Sequence, residues 1–297
     1  MYGVRYYLQT VNYFQKIDDN SIDFFLLVFS TVLIAAAGNI INDYFDVKAD
    51  RINKPEKLII TKHIKRRWAI LIHWIFNGFA FAIALYLSTK YQSLWFVFVH
   101  LLSINTLWFY SMLFKRKVLI GNLMVAGLTA LVPLLVVIYF KVGNSFNLQY
   151  SEFDPNSWVA IIDYRIIYLL AIFAFIQNFA REIVKDVQDV KGDELIYVKS
   201  LPMKIGQFNS LKIVSAFLII LPLFYCYISF SNLTELLGSS QFFVVTAPFL
   251  VASLLNLIVI ALIFIFKSKY LKLYDALIKI SMLLGVSATF YLAYFHL

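Results

Sequence analysis

The amino-acid sequence predicts an all-α, polytopic membrane protein, a bundle of about eight spanning helices. Three observations carry this expectation. Of 297 residues, 61% are apolar and 14% charged, with a mean hydropathy of +0.77, whereas a soluble domain carries nearer a quarter charged residues. The apolar residues gather into runs of roughly 20, enough to cross a hydrocarbon core of about 30 Å. These runs lack the period-two alternation of barrel strands, which leaves helices as the spanning form.

In chain order the runs lie near 22–42, 68–88, 93–113, 119–140, 164–184, 210–230, 242–266 and 275–295. Residues 1–16 are too short and too polar to cross a bilayer and lack the pattern of a secretory signal. The segment 1–21 reads as an incomplete first helix. Pro133, Pro222 and Pro248 fall inside spans, where neighbouring helices can satisfy the freed backbone groups or a kink can widen a cavity. The single cysteine, Cys226, sits in an apolar run and fits packing or lipid contact.

The net charge of +9 follows the membrane, not nucleic acid. Residues 48–67 hold eight Lys/Arg, 115–117 three, 181–204 five and 267–272 three, and the intervening loops are poor in them. The positive-inside rule then puts the basic loops in the cytoplasm. The stretch 231–241 and the C-terminus face the other side, and with eight spans so does the N-terminus. The whole of 1–297 reads as one membrane domain.

Two stretches repeat one acidic pattern: Asp43, Asp46 and Asp50 after the first run, and Asp186, Asp189 and Asp193 after the fifth. Both read D-x-x-D-x-x-x-D, offset by 143 residues. On a helix these positions fall within roughly 60° of one another. The repeat suggests pseudo-equivalent halves, about 22–142 and 164–297, closing on a central cavity with both triplets at its cytoplasmic mouth. Matched carboxylate triplets there point to divalent cations, Mg²⁺ foremost, and to the polyphosphate they hold. Ions so placed neutralise a diphosphate of about three negative charges as its carbon–oxygen bond breaks. An allylic cation could then be captured in a dry, aromatic-lined pocket.

Asp43, Asp46, Asp186 and Asp189 are the expected catalytic carboxylates, with Asp50 and Asp193 completing the metal-ligating set. Arg51, Lys54, Lys57, Lys115, Arg181 and Lys185 are candidate diphosphate ligands, and Asn42 could coordinate the ion or orient Asp43. Glu182 reads as a structural partner of Lys185 or Arg181. Lys62, Lys65, Arg66 and Arg67 read as topology signals or lipid contacts. His63, His73, His100 and His296 lack metal-ligand spacing and receive no role.

At these residues the chain resembles the UbiA superfamily of intramembrane prenyltransferases. The likeness runs through Asn42-Asp43-x-x-Asp46-x-x-x-Asp50-Arg51-Ile52-Asn53-Lys54-Pro55, Tyr110 to Lys115, and Gly121-Asn122. It continues with Arg181-Glu182-Ile183-Val184-Lys185-Asp186-x-x-Asp189-x-x-x-Asp193, then Lys199-Ser200-Leu201-Pro202 and Gly206. The resemblance implies a bundle of nine helices around a central cavity, Mg²⁺ on the two aspartate motifs, and prenyl transfer from a prenyl diphosphate to a lipophilic acceptor. The D-R-I-N-K-P string is most similar to the digeranylgeranylglyceryl phosphate synthase-like branch. That implies geranylgeranyl transfer to an acceptor such as geranylgeranylglycerol phosphate, in lipid biosynthesis, without a protein partner.

Two departures from the family pattern stand out. Its usual R-P-x-R-P-[IL]-P-S-G is here Lys54-Pro55-Glu56-Lys57-Leu58-Ile59-Ile60-Thr61-Lys62, which keeps charge but loses bidentate arginine recognition. The family also has two helices before its first motif, where this chain has one full span. Two other functions compete: prenylation of an aromatic quinone precursor, and, remotely, cation transport. Transport fits poorly, because the carboxylates cluster at one membrane face instead of running through the span centres.

Overall fold

The computed structural model describes residues 1–11, 21–53, 55–145, 157–195, 199–230 and 239–295. Lys54, His296, the middle of the polar 142–163 stretch and most of 231–241 lie outside the described residues. The helices are α1 Tyr2–Val11, α2 Ser21–Asn53, α3 Arg66–Lys90, α4 Trp95–Met112, α5 Ile120–Ser145 and α6 Ser157–Leu195, followed by α7 Leu201–Ile205, α8 Gln207–Leu218, α9 Ile220–Phe230, α10 Ser239–Phe266 and α11 Leu271–Phe295. Among the described residues the β-type pairing is an isolated bridge between Ile60 and Ile64.

Eight of these segments are long and apolar enough to cross a membrane, α8 and α9 together making one crossing over Gln207–Tyr227. They match the eight runs read from the sequence. Leu223, Ile265 and Leu283 are exposed on the outside of the bundle, as suits a surface that faces lipid. The protein is an integral membrane protein.

Helix α6 is the hub, packing against α1, α2, α5, α7, α8 and α11. Its face Phe179, Ile183, Val184 and Val187 joins Leu211, Val214 and Leu218 of α8, Val259 and Ile263 of α10, and Tyr274 and Ile278 of α11 in one core. A second core lies at the opposite end of the bundle. Phe24 and Leu27 of α2 meet Leu87, Phe96 and Val99, then Val136, Tyr139 and Phe140 of α5 there, with Val4 and Leu8 of α1. The ten residues of α1 reach only about 15 Å at 1.5 Å per residue. Its Arg5 guanidinium lies 4.8 Å from the centre of the Phe24 ring.

Several buried polar groups are paired across helices. Asp23, fully buried, accepts hydrogen bonds from the hydroxyls of Tyr91 (2.8 Å) and Tyr86 (3.2 Å) and sits 2.5 Å from the Lys90 ammonium. This knot, which the sequence reading did not single out, ties the start of α2 to the end of α3. Pro222 lacks the N–H that would bond the Leu218 carbonyl, and the chain breaks between α8 and α9 just before it. Asn256 of α10 donates to that carbonyl at 3.3 Å, so the neighbouring helix supplies the missing partner. His73 bonds the Ala37 carbonyl at 2.9 Å, and His100 bonds Ser30 at 2.8 Å and the Phe96 carbonyl at 2.7 Å.

Candidate active site

Both acidic triplets sit on the last turns of long helices. Helix α2 runs unbroken to Asn53, two residues before Pro55. Helix α6 continues to Leu195. The cores that join α2 and α6 to their neighbours set these two ends side by side. Asp43, Asp46, Asp50, Asp186, Asp189 and Asp193 all line one cavity of about 300 Å³, together with Asn42, Tyr110, Lys115, Glu182 and Lys185.

Two other segments complete this mouth. Leu58, Ile59 and Ile60 line one side of it, so the loop after the first triplet contributes apolar side chains. A turn closes that loop, with the Thr61 N–H donating to the Ile64 carbonyl at 2.8 Å. Thr61 has φ of 77°, a strained conformation for a β-branched residue. Opposite, a 3-10 turn over Phe114–Arg116 carries Lys115. Gly121 permits that approach, because a Cβ there would lie 3.0 Å from the Tyr110 ring and 3.1 Å from the Phe114 carbonyl.

Asp46 and Asp186 have different partners. The Lys115 ammonium forms an ion pair with Asp46. Burial alone would push this ammonium down; the charges of Asp46 and Asp193 outweigh it and hold the group above its ordinary range. Lys115 therefore carries its charge at neutral pH. Asp186 accepts instead from the neutral Asn122 amide at 2.8 Å. Asn53 joins the helices directly, donating to the Asp189 carbonyl at 3.0 Å and accepting from the Gly192 N–H at 2.9 Å.

A second cavity of about 440 Å³ extends from the mouth into the bundle. Ile34, Leu107, Leu128, Val132 and Leu135 are among its walls, and its lining on α5 runs from Val125 to Leu135, roughly 15 Å of helix. Thr31, His100 and Asn178 add polar points. Glu182 and Lys185 line both cavities and so mark the junction. Glu182 is buried and paired as the sequence suggested, 3.0 Å from Lys185 and 3.3 Å from Arg181.

Two expected ligands, Arg181 and Arg51, fall outside the lining of the mouth. Arg181 faces the second cavity and reaches Asp275 of α11 at 2.9 Å. Arg51 is exposed and is not among the residues lining the mouth. Lys54 and the Lys57 side chain lie outside the described residues. The sequence reading gave no role to Asn122, Asn53 or Tyr110. All three stood inside the motifs that carry the resemblance to a known family, Asn53 within the string that follows the first triplet.

Comparison with known proteins agrees with this arrangement. Residues 15–274 match the model of the UbiA prenyltransferase family. The chain is 35% identical over 194 residues to a digeranylgeranylglyceryl phosphate synthase of Thermococcus gammatolerans, an alignment covering 65% of this chain and 60% of that protein. The chain thus spans about 60% of the length of that curated relative. The fold resembles the apo structure of a UbiA homologue from Aeropyrum pernix K1, with a TM-score of 0.62 and 16% identity over 98% of this chain and 92% of that one. It also resembles a UbiA homologue from Archaeoglobus fulgidus solved with DMAPP and Mg²⁺, with a TM-score of 0.50 and 17% identity over 97% and 94% of the two chains. The family match across most of its length, joined to two facing aspartate triplets at the mouth of an apolar cavity, makes this chain a member of the UbiA prenyltransferase family.

Proposed function

We propose that the protein is a Mg²⁺-dependent intramembrane prenyltransferase. It transfers a prenyl group, geranylgeranyl first among candidates, from its diphosphate to the hydroxyl of a lipophilic acceptor such as geranylgeranylglyceryl phosphate. The observation that carries this reading is the junction at Glu182 and Lys185, where a mouth lined by six aspartates opens into a long, largely apolar cavity. The name of the Thermococcus relative supports the acceptor, and the DMAPP and Mg²⁺ in the Archaeoglobus homologue support the donor class and the ion.

The residues present suit Mg²⁺. Carboxylates are hard oxygen donors, and the buried Asn42 Oδ1 has no hydrogen-bond partner among the described residues. Among those residues no three acidic, histidine or cysteine side chains converge closely enough to enclose a cation alone. Mg²⁺ favours such a site, held by one or two carboxylates plus substrate oxygens and water. Asp43, Asp46, Asp50, Asp186, Asp189 and Asp193 would hold the ions, which when bound neutralise the diphosphate as it leaves.

The chain's own side chains do the rest. Lys185, at the junction, offers its ammonium to the diphosphate oxygens nearest the reacting carbon. Lys115 keeps a permanent positive charge against Asp46, limiting repulsion between the triplets and the incoming anion. The apolar walls from Ile34 to Leu135 hold the isoprenoid chain and exclude water from its allylic cation. The bond from the first prenyl carbon to diphosphate breaks, the bond from that carbon to the acceptor oxygen forms, and the hydroxyl proton departs. By the distribution of Lys and Arg, the mouth faces the cytoplasm.

Purified protein in detergent, given Mg²⁺, labelled geranylgeranyl diphosphate and geranylgeranylglyceryl phosphate, is expected to release diphosphate and yield the doubly alkylated lipid by mass spectrometry. Failure to consume the donor with any of a panel of glyceryl and aromatic acceptors would refute the reading.

A further inference from the structure

We propose that Asn53 is the positioning residue that sets the spacing of the two metal-binding triplets, working as a pair with Gly192. The inference rests on the prenyltransferase reading and deepens it. Asn53 lies three residues after Asp50, on the last turn of α2. Its amide grips the backbone of α6 inside the second triplet: Nδ2 donates to the Asp189 carbonyl at 3.0 Å and Oδ1 accepts from the Gly192 N–H at 2.9 Å. A flipped amide would set oxygen against oxygen and N–H against N–H, so the two bonds determine the orientation.

Gly192 makes this contact possible. A Cβ at 192 would lie 2.3 Å from Asn53 Nδ2 and 2.6 Å from its Cγ, so any other residue there expels the asparagine side chain. The backbone segment that Asn53 holds is the one that carries Asp189 and Asp193. Val47 of α2 packs with Ile60 and Ala69, and Val187 of α6 belongs to the core that holds Leu201, whereas the Asn53 amide bonds one helix end to the other. Diphosphate-bridged cations need both triplets at one separation, and a group that orients ligands without touching the metal typically sets affinity by about 10–100-fold.

The test is calorimetric binding of a non-hydrolysable geranylgeranyl thiodiphosphate as Mg²⁺ is varied, on the full chain in detergent. Asn53→Ala and Asn53→Ser, too short to span both groups, are expected to raise the half-saturating Mg²⁺ at least about tenfold. Binding at saturating Mg²⁺ should stay within about twofold of wild type, since mass action restores the liganded geometry. Gly192→Ala should reproduce the shift. The double variant Asn53→Ala/Gly192→Ala should be no worse than either single change, as for two residues acting through one contact. Asn209→Ala, whose amide bonds a carbonyl four residues back at 2.9 Å, serves as control and should not move it. A merely structural asparagine would lower the fraction of binding-competent protein and leave the Mg²⁺ midpoint where it was. That result with Asn53→Ala or Asn53→Ser overturns the positioning role, as does full additivity in the double variant. If wild-type protein fails to bind the analogue with Mg²⁺ present, the prenyltransferase reading falls and this inference with it.

Discussion

The two aspartate triplets share a spelling and differ in surroundings. On α2, Asp46 faces the Lys115 ammonium delivered by the turn before α5. On α6, Asp186 faces the Asn122 amide two residues into α5. Asp46 thus pairs with a full positive charge and Asp186 with a neutral dipole, both from the same short stretch of chain. The difference shows that repetition along a sequence need not yield electrostatic symmetry. Lys115 offsets part of the repulsion on both sides, since its charge acts on Asp46 of α2 and on Asp193 of α6.

The largest expected effects come from deleting a carboxylate on either side. Asp43→Ala and Asp186→Ala should each cut turnover by at least about 10²–10³-fold, comparable to losing a preorganised electrostatic group. Labelled-donor assays at saturating Mg²⁺ check this, and turnover within tenfold of wild type in either variant would break the proposed equivalence of the triplets. Next comes Lys115→Met. It should destabilise the protein without Mg²⁺ by about 3 kcal/mol, the lower end for a broken buried pair, because the Lys115 side chain is partly exposed. Thermal unfolding should show Mg²⁺ restoring more stability to this variant than to wild type, as the cation takes the place of the lost ammonium.

Asn122→Ala should cost only about 1–2 kcal/mol, the penalty for leaving a carboxylate short of one neutral donor. Equal costs for Lys115→Met and Asn122→Ala would erase the contrast between the two sides. The smallest effect belongs to the deeper cavity. Leu135→Trp should lower the preference for geranylgeranyl over geranyl diphosphate by about tenfold, in the range that added bulk gives in apolar pockets. Competition between the two donors in one reaction measures that ratio.

Much of this architecture was legible in the chain. Backbone groups in lipid must be satisfied within a helix, so each apolar run of about 20 residues admits one form. The eight runs appear as eight crossings. The triplets were legible too, because the spacing i, i+3, i+7 places their members on one face of whatever helix holds them. Pairings between helices were not. Asn53 gave no local sign that its amide would reach a glycine 139 residues away. Asn122 and Asp186 are separated by 64 residues, and the buried knot at Asp23 spans 68 to Tyr91. Arg181 stood beside the second triplet in sequence, yet its place on α6 turns it toward Asp275.

Hydropathy and periodicity are local properties of the chain, and they were enough to specify the spanning helices, the number of crossings and the grouping of the acidic residues. Which cation faces which carboxylate, and how deep the apolar cavity runs, depended on helices meeting across long separations. Those meetings follow from side-chain shape and backbone approach at particular points, such as the missing Cβ of Gly192 beside Asn53. No pattern along one helix encodes such a meeting, because half of each contact belongs to another.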